Sequence, residues 1–105
     1  MAELEADSKL EIDRSEDGST PVLRLTGEID LATSPDLREA IVSAAHGGAG
    51  PVALDLAGVT FMDSSGIGLL LELTAGGELE LRAPSLTVRR VVEATGLAER
   101  LPMQP

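Results

Sequence analysis

With 105 residues, the chain has the length of a single domain and can bury about two thirds of the surface that it exposes when unfolded. Eighteen acidic residues against eight basic ones give a formal net charge of −10, which argues against binding nucleic acid or an anionic membrane and favours a basic protein partner. The absence of cysteine excludes disulfides and thiolate chemistry, and the single aromatic residue, Phe61, means that the core must be almost wholly aliphatic.

The N-terminal segment shows no pattern typical of a signal peptide, and we expect none. Residues 1–8 are acidic and lack periodicity, and we expect them to be disordered. The longest apolar run, at 67–71, is far shorter than the roughly 20 residues of a membrane span. No apolar segment typical of a signal peptide precedes the first strand, so a cytoplasmic location is expected.

Two alternating segments open the ordered part of the chain. Residues 9–14 and 22–26 alternate apolar and polar side chains, and a run of turn-forming residues separates them, which predicts an antiparallel hairpin. Residues 27–30 close the second strand. A helix start follows at 33–36, with a hydroxyl cap, a proline in the first turn and an acid near the positive end of the helix dipole. This first helix is predicted to run to about residue 46, where glycines 47–48 end it.

The second half of the chain alternates strands and helices. Residues 51–56 are apolar at nearly every position and predict a central strand, followed by a short loop at 57–58. The remaining predictions are a helix from 64 to about 74, a strand at 78–82, and a helix that opens at 84–85 and ends at Gly96. The order β-β-α-β-α-β-α predicts an α/β fold: a mixed four-stranded sheet, with a fifth strand left open, and helices packed on it.

The start of the second helix combines Asp63, Ser64, Ser65 and Gly66. Asp63 is expected to cap the helix through the N–H of Ser65 or Gly66. A helix N-terminus stabilises negative charge, so a phosphate on Ser64 or Ser65 suits this position. The cap does not explain Gly66 and Gly68, since each glycine costs a helix up to about 1 kcal/mol relative to alanine. They indicate either the close approach of a partner or tight packing onto the sheet.

The same serines do not fit a catalytic nucleophile. A nucleophile elbow requires glycine two residues before the serine, where this chain has Met62 and Asp63. The only histidine, His46, falls at the far end of the first helix. We therefore predict no catalytic residue and no enzyme.

Three aspartates in or next to strands, Asp30, Asp55 and Asp63, raise the question of a metal site. Asp30 and Asp63 follow neighbouring strands and are expected at the same edge of the sheet, where they could hold Mg²⁺ weakly. Solvated carboxylates are the simpler interpretation, and we predict neither a metal nor a cofactor. Asp55 lies within an apolar strand and is expected on the uncovered face of the sheet.

Four segments, at 27–30, 52–56, 61–68 and 94–97, together resemble the STAS domain and, within that class, the anti-sigma factor antagonists (anti-anti-sigma factors) of bacteria. The resemblance covers residues 9–101, which implies a single STAS domain followed by a short tail at 102–105. The chain departs from the family in a short second helix, in Glu72 where basic residues are usual, and in lacking a recognisable C-terminal strand and helix.

The resemblance implies a partner-switching regulator of transcription. Its partner would be both an anti-sigma factor and a serine kinase, which the unphosphorylated protein captures, releasing a sigma factor, and which ends the capture by phosphorylating Ser64, with Ser65 as the fallback. The residues expected to meet that partner are Asp30, Asp63, Ser64, Ser65, Gly66 and Gly68. The alternative is a non-switching STAS scaffold subunit of a transporter-associated or stress-signalling complex. Neither interpretation predicts the oligomeric state.

Overall fold

The computed structural model describes residues 9–46 and 50–105, which form a five-stranded mixed sheet and three α-helices. In chain order the elements are β1 (Leu10–Asp17), β2 (Thr20–Ile29), α1 (Ser34–Ala45), β3 (Val52–Met62), α2 (Ser64–Ala75), β4 (Leu79–Arg82), α3 (Leu86–Thr95) and β5 (Met103–Gln104). The predicted fold class and element order are confirmed. The expected disorder at 1–8 and the expected helix stop at 47–48 lie outside the described residues.

The strands are arranged in the sheet in their chain order, from β1 to β5. β1 pairs antiparallel with β2, as the hairpin prediction required, and every later pair is parallel. The last residues of β2 and β3, Ile29 and Met62, are partners. The carboxyl ends of these two strands therefore lie side by side, and both α1 and α2 begin there.

β3 is longer than predicted. The expected loop at 57–58 is wrong, because the strand continues to Met62. Arg24 pairs with Asp55 and Thr26 with Gly58, so β3 carries one residue more than β2 over this stretch, which is a β-bulge. A Cβ at Gly58 would lie 2.8 Å from the carbonyl oxygen of Leu25, so only glycine allows the two strands to close at this point.

The C-terminal segment also belongs to the fold. The fifth strand, which the sequence left open because no C-terminal strand was recognisable, is present: a 3₁₀ turn at Ala98–Arg100 leads to buried Leu101, and β5 then pairs with Leu81 and Arg82 of β4. Residues 102–105, expected as a tail, thus contain a strand of the sheet. β5 was not predicted because its two residues, Met103 and Gln104, lie between prolines and are too few to show an alternating pattern.

The core is aliphatic, as the composition requires. Each helix contributes buried side chains to one cluster with the sheet: Leu37, Ile41 and Ala44 from α1, Ile67, Leu70 and Leu73 from α2, and Val88 and Val92 from α3. Phe61, the only aromatic residue, is not in that core and is 47% exposed. Asp55 lies between buried Leu54 and Leu56 on the opposite side of the strand, where its carboxylate is 3.8 Å from Nε of exposed Arg24.

Candidate functional site

Asp30 and Asp63 lie together at the carboxyl edge of the parallel strands. Each directly follows the last residue of its strand, and the Asp63 N–H donates to the carbonyl oxygen of Ile29 at 3.2 Å. Both aspartates line one open cavity at this edge. The expectation that they meet there, made from the topology alone, is confirmed.

Asp63 caps α2 and also holds a neighbouring turn. Its Oδ1 accepts from the N–H groups of Ser65 at 2.8 Å and Gly66 at 3.2 Å, which confirms the predicted N-cap. Its Oδ2 accepts from the N–H of Leu31 at 3.3 Å, a contact that the sequence did not suggest. One carboxylate therefore links the first turn of α2 to the turn that follows β2.

The turn after β2 is braced by a reciprocal pair of hydrogen bonds. The Thr33 N–H donates to Asp30 Oδ1 at 3.0 Å, and the Asp30 N–H donates to Thr33 Oγ1 at 2.9 Å. The buried Thr33 hydroxyl donates to the Glu28 carbonyl, and the Ser34 hydroxyl donates to the Asp30 carbonyl. The expectation of a hydroxyl cap on α1 is wrong, because Thr33 occupies the cap position but directs its hydroxyl into this turn.

The Asp30 carboxylate is stabilised in its charged form. The hydrogen bond from the Thr33 backbone N–H is the main cause that lowers the pKa of Asp30, and the ammonium of Lys9, 3.9 Å from Oδ2, acts in the same direction. The open cavity that Asp30 lines also includes Glu28 and Asp63, with Lys9 as its one cation. The cavity is therefore acidic at neutral pH.

The two serines differ in exposure. Ser64 is the first residue of α2 and is exposed, whereas Ser65 is half-buried. Ser65 lines a second cavity, between α1 and α2, together with Leu31, Ser34, Pro35, Arg38, Gly68 and Leu69. The Ser64 hydroxyl is therefore the more accessible of the two.

Glycine occurs at two positions of α2, 66 and 68, for different structural reasons. A Cβ at Gly66 would lie 2.8 Å from Cγ2 of Ile29 and 2.9 Å from Cγ of Met62, so Gly66 lets the helix pack against the ends of β2 and β3. A Cβ at Gly68 would meet nothing within 4 Å. Tight packing thus explains Gly66, and Gly68 leaves an open surface next to Ser65.

Sequence reasoning missed Leu31 and Phe61 as site residues. Their side chains are 75% and 47% exposed, and both line the acidic cavity. Leu31 also lines the cavity between α1 and α2. An aliphatic residue directly after Asp30, outside any periodic pattern, was the one available signal.

The sequence raised His46 for catalysis and the aspartates for metal binding. His46 caps the C-terminal end of α1, whereas Asp30 lies in the turn that precedes the N-terminal end of the same helix. Within residues 9–46 and 50–105, no group of three histidines or carboxylates is placed to hold a metal ion. No helix in the same part of the chain is long and apolar enough to cross a membrane.

The family model described as "Mlab, STAS domain" matches residues 12–105, nearly all of the chain. The chain belongs to the STAS domain family, as the resemblance of its four segments suggested.

Individual relatives show which group of STAS proteins the chain resembles. The anti-sigma F factor antagonist of Lysinibacillus sphaericus is 40% identical over 84 residues, which cover 74% of this chain and 72% of the relative. The crystal structure of an anti-sigma factor antagonist from Mycobacterium paratuberculosis superimposes with a TM-score of 0.79 at 25% identity, covering 91% of this chain and 86% of that one.

Two further solved structures carry the name SpoIIAA. The unphosphorylated form of the anti-sigma factor antagonist SpoIIAA gives a TM-score of 0.67 at 31% identity, with coverage of 90% of this chain and 88% of SpoIIAA. The phosphorylated form of SpoIIAA from Bacillus gives 0.60 at 29% identity, with coverage of 91% and 90%. Within the STAS family, the chain therefore groups with the anti-sigma factor antagonists.

Proposed function

We propose that the unphosphorylated chain binds an anti-sigma factor that is also a serine kinase, and so releases a sigma factor. Phosphorylation of Ser64 ends this binding. The observation that carries the proposal is the exposed Ser64 hydroxyl at the first position of α2, next to the Asp63 cap and the acidic cavity. The relatives named as anti-sigma factor antagonists, one of them solved in a phosphorylated form, support it.

A phosphate on Ser64 would act mainly by charge. It adds about −1.5 to −2 charges at neutral pH. The sequence suggested that the helix N-terminus suits a phosphate at this position, but the N–H groups of Ser65 and Gly66 already donate to the Asp63 carboxylate and are not free to neutralise a phosphate on Ser64. The added charge would stand beside Asp63 and near Asp30, on a surface that is already acidic. An interface that accepts a neutral hydroxyl would have to bury this uncompensated charge, at a cost of several kcal/mol.

The residues of the proposed docking surface have different roles. Ser64 and Gly68 are exposed and can touch a partner directly. Asp30 and Asp63 are partly buried, so they both face the cavity and hold the local backbone in place. Gly66 is buried against Ile29, and we assign it a packing role.

The proposal places catalysis in the partner. The bond between the γ-phosphorus of ATP and the β,γ-bridging oxygen would break and ADP would leave, while a bond forms from the γ-phosphorus to Ser64 Oγ and the hydroxyl proton passes to a base of the kinase. The chain is then the substrate of this reaction, and the cytoplasm, where sigma factors work, is its proposed location.

The experiment compares Ser64→Ala and Ser64→Asp. The chain is tested against the anti-sigma factor kinases of the organism that encodes it, and binding is measured by titration calorimetry without ATP. Ser64→Ala should bind as tightly as the wild type. Ser64→Asp should bind at least about 100-fold more weakly, because its carboxylate would be buried in the interface without a compensating charge. Equal affinity of the two variants would refute the switch.

Mass spectrometry after incubation with ATP locates the phosphate. We expect modification of Ser64 in the wild type and in Ser65→Ala, and none in Ser64→Ala. Wild-type protein that binds the kinases but gains no phosphate on Ser64 or Ser65 would favour the non-switching scaffold.

A further inference from the structure

Leu31 stands between the two cavities of the site. Its side chain is 75% exposed, the highest exposure among the large apolar residues in the described part of the chain. On one side lies the acidic cavity with Asp30, Phe61 and Asp63, and on the other lies the cavity between α1 and α2 with Ser65. Leu31 thus lines both cavities, and its backbone N–H is hydrogen-bonded to Asp63, the residue that precedes Ser64.

The backbone that carries Leu31 is held in place before any partner arrives. The Leu31 N–H donates to Asp63 Oδ2, and the reciprocal hydrogen bonds between Asp30 and Thr33 close the turn around it. A single exposed leucine on a surface is ordinary. A leucine on a braced turn differs, because an interface that buries it loses little backbone entropy.

The surroundings of Leu31 specify the chemistry of its partner. Phe61 is 47% exposed and lines the same acidic cavity, so the cavity wall carries two exposed apolar side chains. Glu28, Asp30 and Asp63 line the same cavity, and Lys9 is the single cation among its lining residues. A complementary surface therefore has an apolar pocket with basic groups at its rim.

We propose that Leu31 is the apolar anchor of the docking surface and inserts into an apolar pocket of the anti-sigma factor, with Phe61 at its side and basic residues of the partner facing the acidic cavity. The inference rests on the proposed function, since it names the contact through which that partner is held. The inference adds Leu31 as a contact residue, which the proposed roles of Ser64, Asp30 and Asp63 do not by themselves require.

The test uses Leu31→Ser with two matched controls. Val42 and Leu86 are also exposed, at 59% and 61%, but neither lines a cavity of the site. Binding is measured by surface plasmon resonance to the anti-sigma factor kinase that binds the wild-type chain, after circular dichroism has verified the folding of each variant. Leu31→Ser should bind about 10- to 100-fold more weakly, chiefly through a faster dissociation rate. Val42→Ser and Leu86→Ser should stay within about twofold of the wild type.

A second variant tests the basic rim. Glu28→Gln should slow association and flatten its salt dependence while leaving the dissociation rate near that of the wild type. An unchanged salt dependence would overturn the assignment of basic groups to the partner.

The outcomes separate the anchor from the proposed function. If the wild type binds no anti-sigma factor kinase, both the proposed function and the anchor role of Leu31 are refuted. If the wild type binds and Leu31→Ser binds equally well, only the anchor is overturned. Analytical ultracentrifugation of the wild type alone tests whether a second copy of the chain binds at this surface instead. A wild-type dimer that Leu31→Ser dissociates would assign the surface to self-association and overturn the anchor.

Discussion

The inner and outer faces of α2 show how one helix serves both the fold and the proposed switch. The inner face packs into the core, and the residues that it buries are Gly66, Ile67, Leu69, Leu70 and Leu73. The outer face leaves Ser64, Gly68 and Glu72 exposed. Because the two sets alternate along one helix, a charge can be added at Ser64 without disturbing the side chains that hold the helix to the sheet. The two glycines, two positions apart, make this division testable.

Gly66→Ala should have the largest effect on stability. The new methyl group would lie 2.8 Å from Cγ2 of Ile29 and 3.2 Å from its carbonyl oxygen, so the helix or the end of β2 must move. Overpacking of this kind costs about 1–3 kcal/mol, which outweighs the gain in helix propensity of up to about 1 kcal/mol. Urea denaturation measures the free energy of unfolding. A variant as stable as the wild type would mean that the inner face is not tightly packed at this point.

Gly68→Ala should act in the opposite direction. Nothing lies within 4 Å of the added methyl group, so the helix gains up to about 1 kcal/mol in stability. The same methyl group fills the open surface beside Ser65, and the affinity for the anti-sigma factor kinase should fall. Urea denaturation and calorimetry on the same sample give both quantities. Loss of stability in this variant would contradict the division between the faces.

Glu72→Gln should give the smallest effect. Glu72 accepts two hydrogen bonds from Arg38 of α1, at 2.8 and 2.9 Å, but both side chains are largely exposed, so solvent screens the pair. The hydrogen bond from Arg38 holds the pKa of Glu72 below its ordinary value of 4.5. A carboxyl with a lowered pKa in the folded state stabilises the fold above its unfolded pKa, and this contribution is lost as the pH falls through the folded pKa.

Thermal denaturation at two pH values tests the direction in which the stabilising contribution of Glu72 changes with pH. At neutral pH, Glu72→Gln should be slightly less stable than the wild type, and the difference should shrink as the pH falls below about 4.5 and the wild-type carboxyl is protonated. The variant Glu39→Gln is a suitable control, since Glu39 is an exposed acid of α1 for which no such ion pair is present among the described residues. A difference that grows on acidification would contradict the assigned role of Arg38.

Much of the site was predictable because its interactions are local. The Asp63 cap depends on N–H groups two and three residues ahead in the chain, so the residue types alone indicate it. The proximity of Asp30 and Asp63 follows from the topology, since parallel neighbouring strands bring their carboxyl ends to one edge. The use of the Thr33 hydroxyl was predicted wrongly, because a helix cap and a closed turn compete for the same group.

The sequence by itself determined the order of strands and helices from β1 to α3, the start of α2 and the placing of Ser64 at its first position, because periodicity and capping act within a few residues. Only the tertiary structure decided what depends on pairing between distant segments. The bulge that extends β3 arises from its register with β2, and the different roles of Gly66 and Gly68 arise from the approach of Ile29 to one and not to the other. The hydrogen bond between Leu31 and Asp63 joins residues 32 positions apart, and it holds the proposed anchor beside the proposed switch. Local patterns do not record such contacts, because their geometry exists only once the sheet has formed.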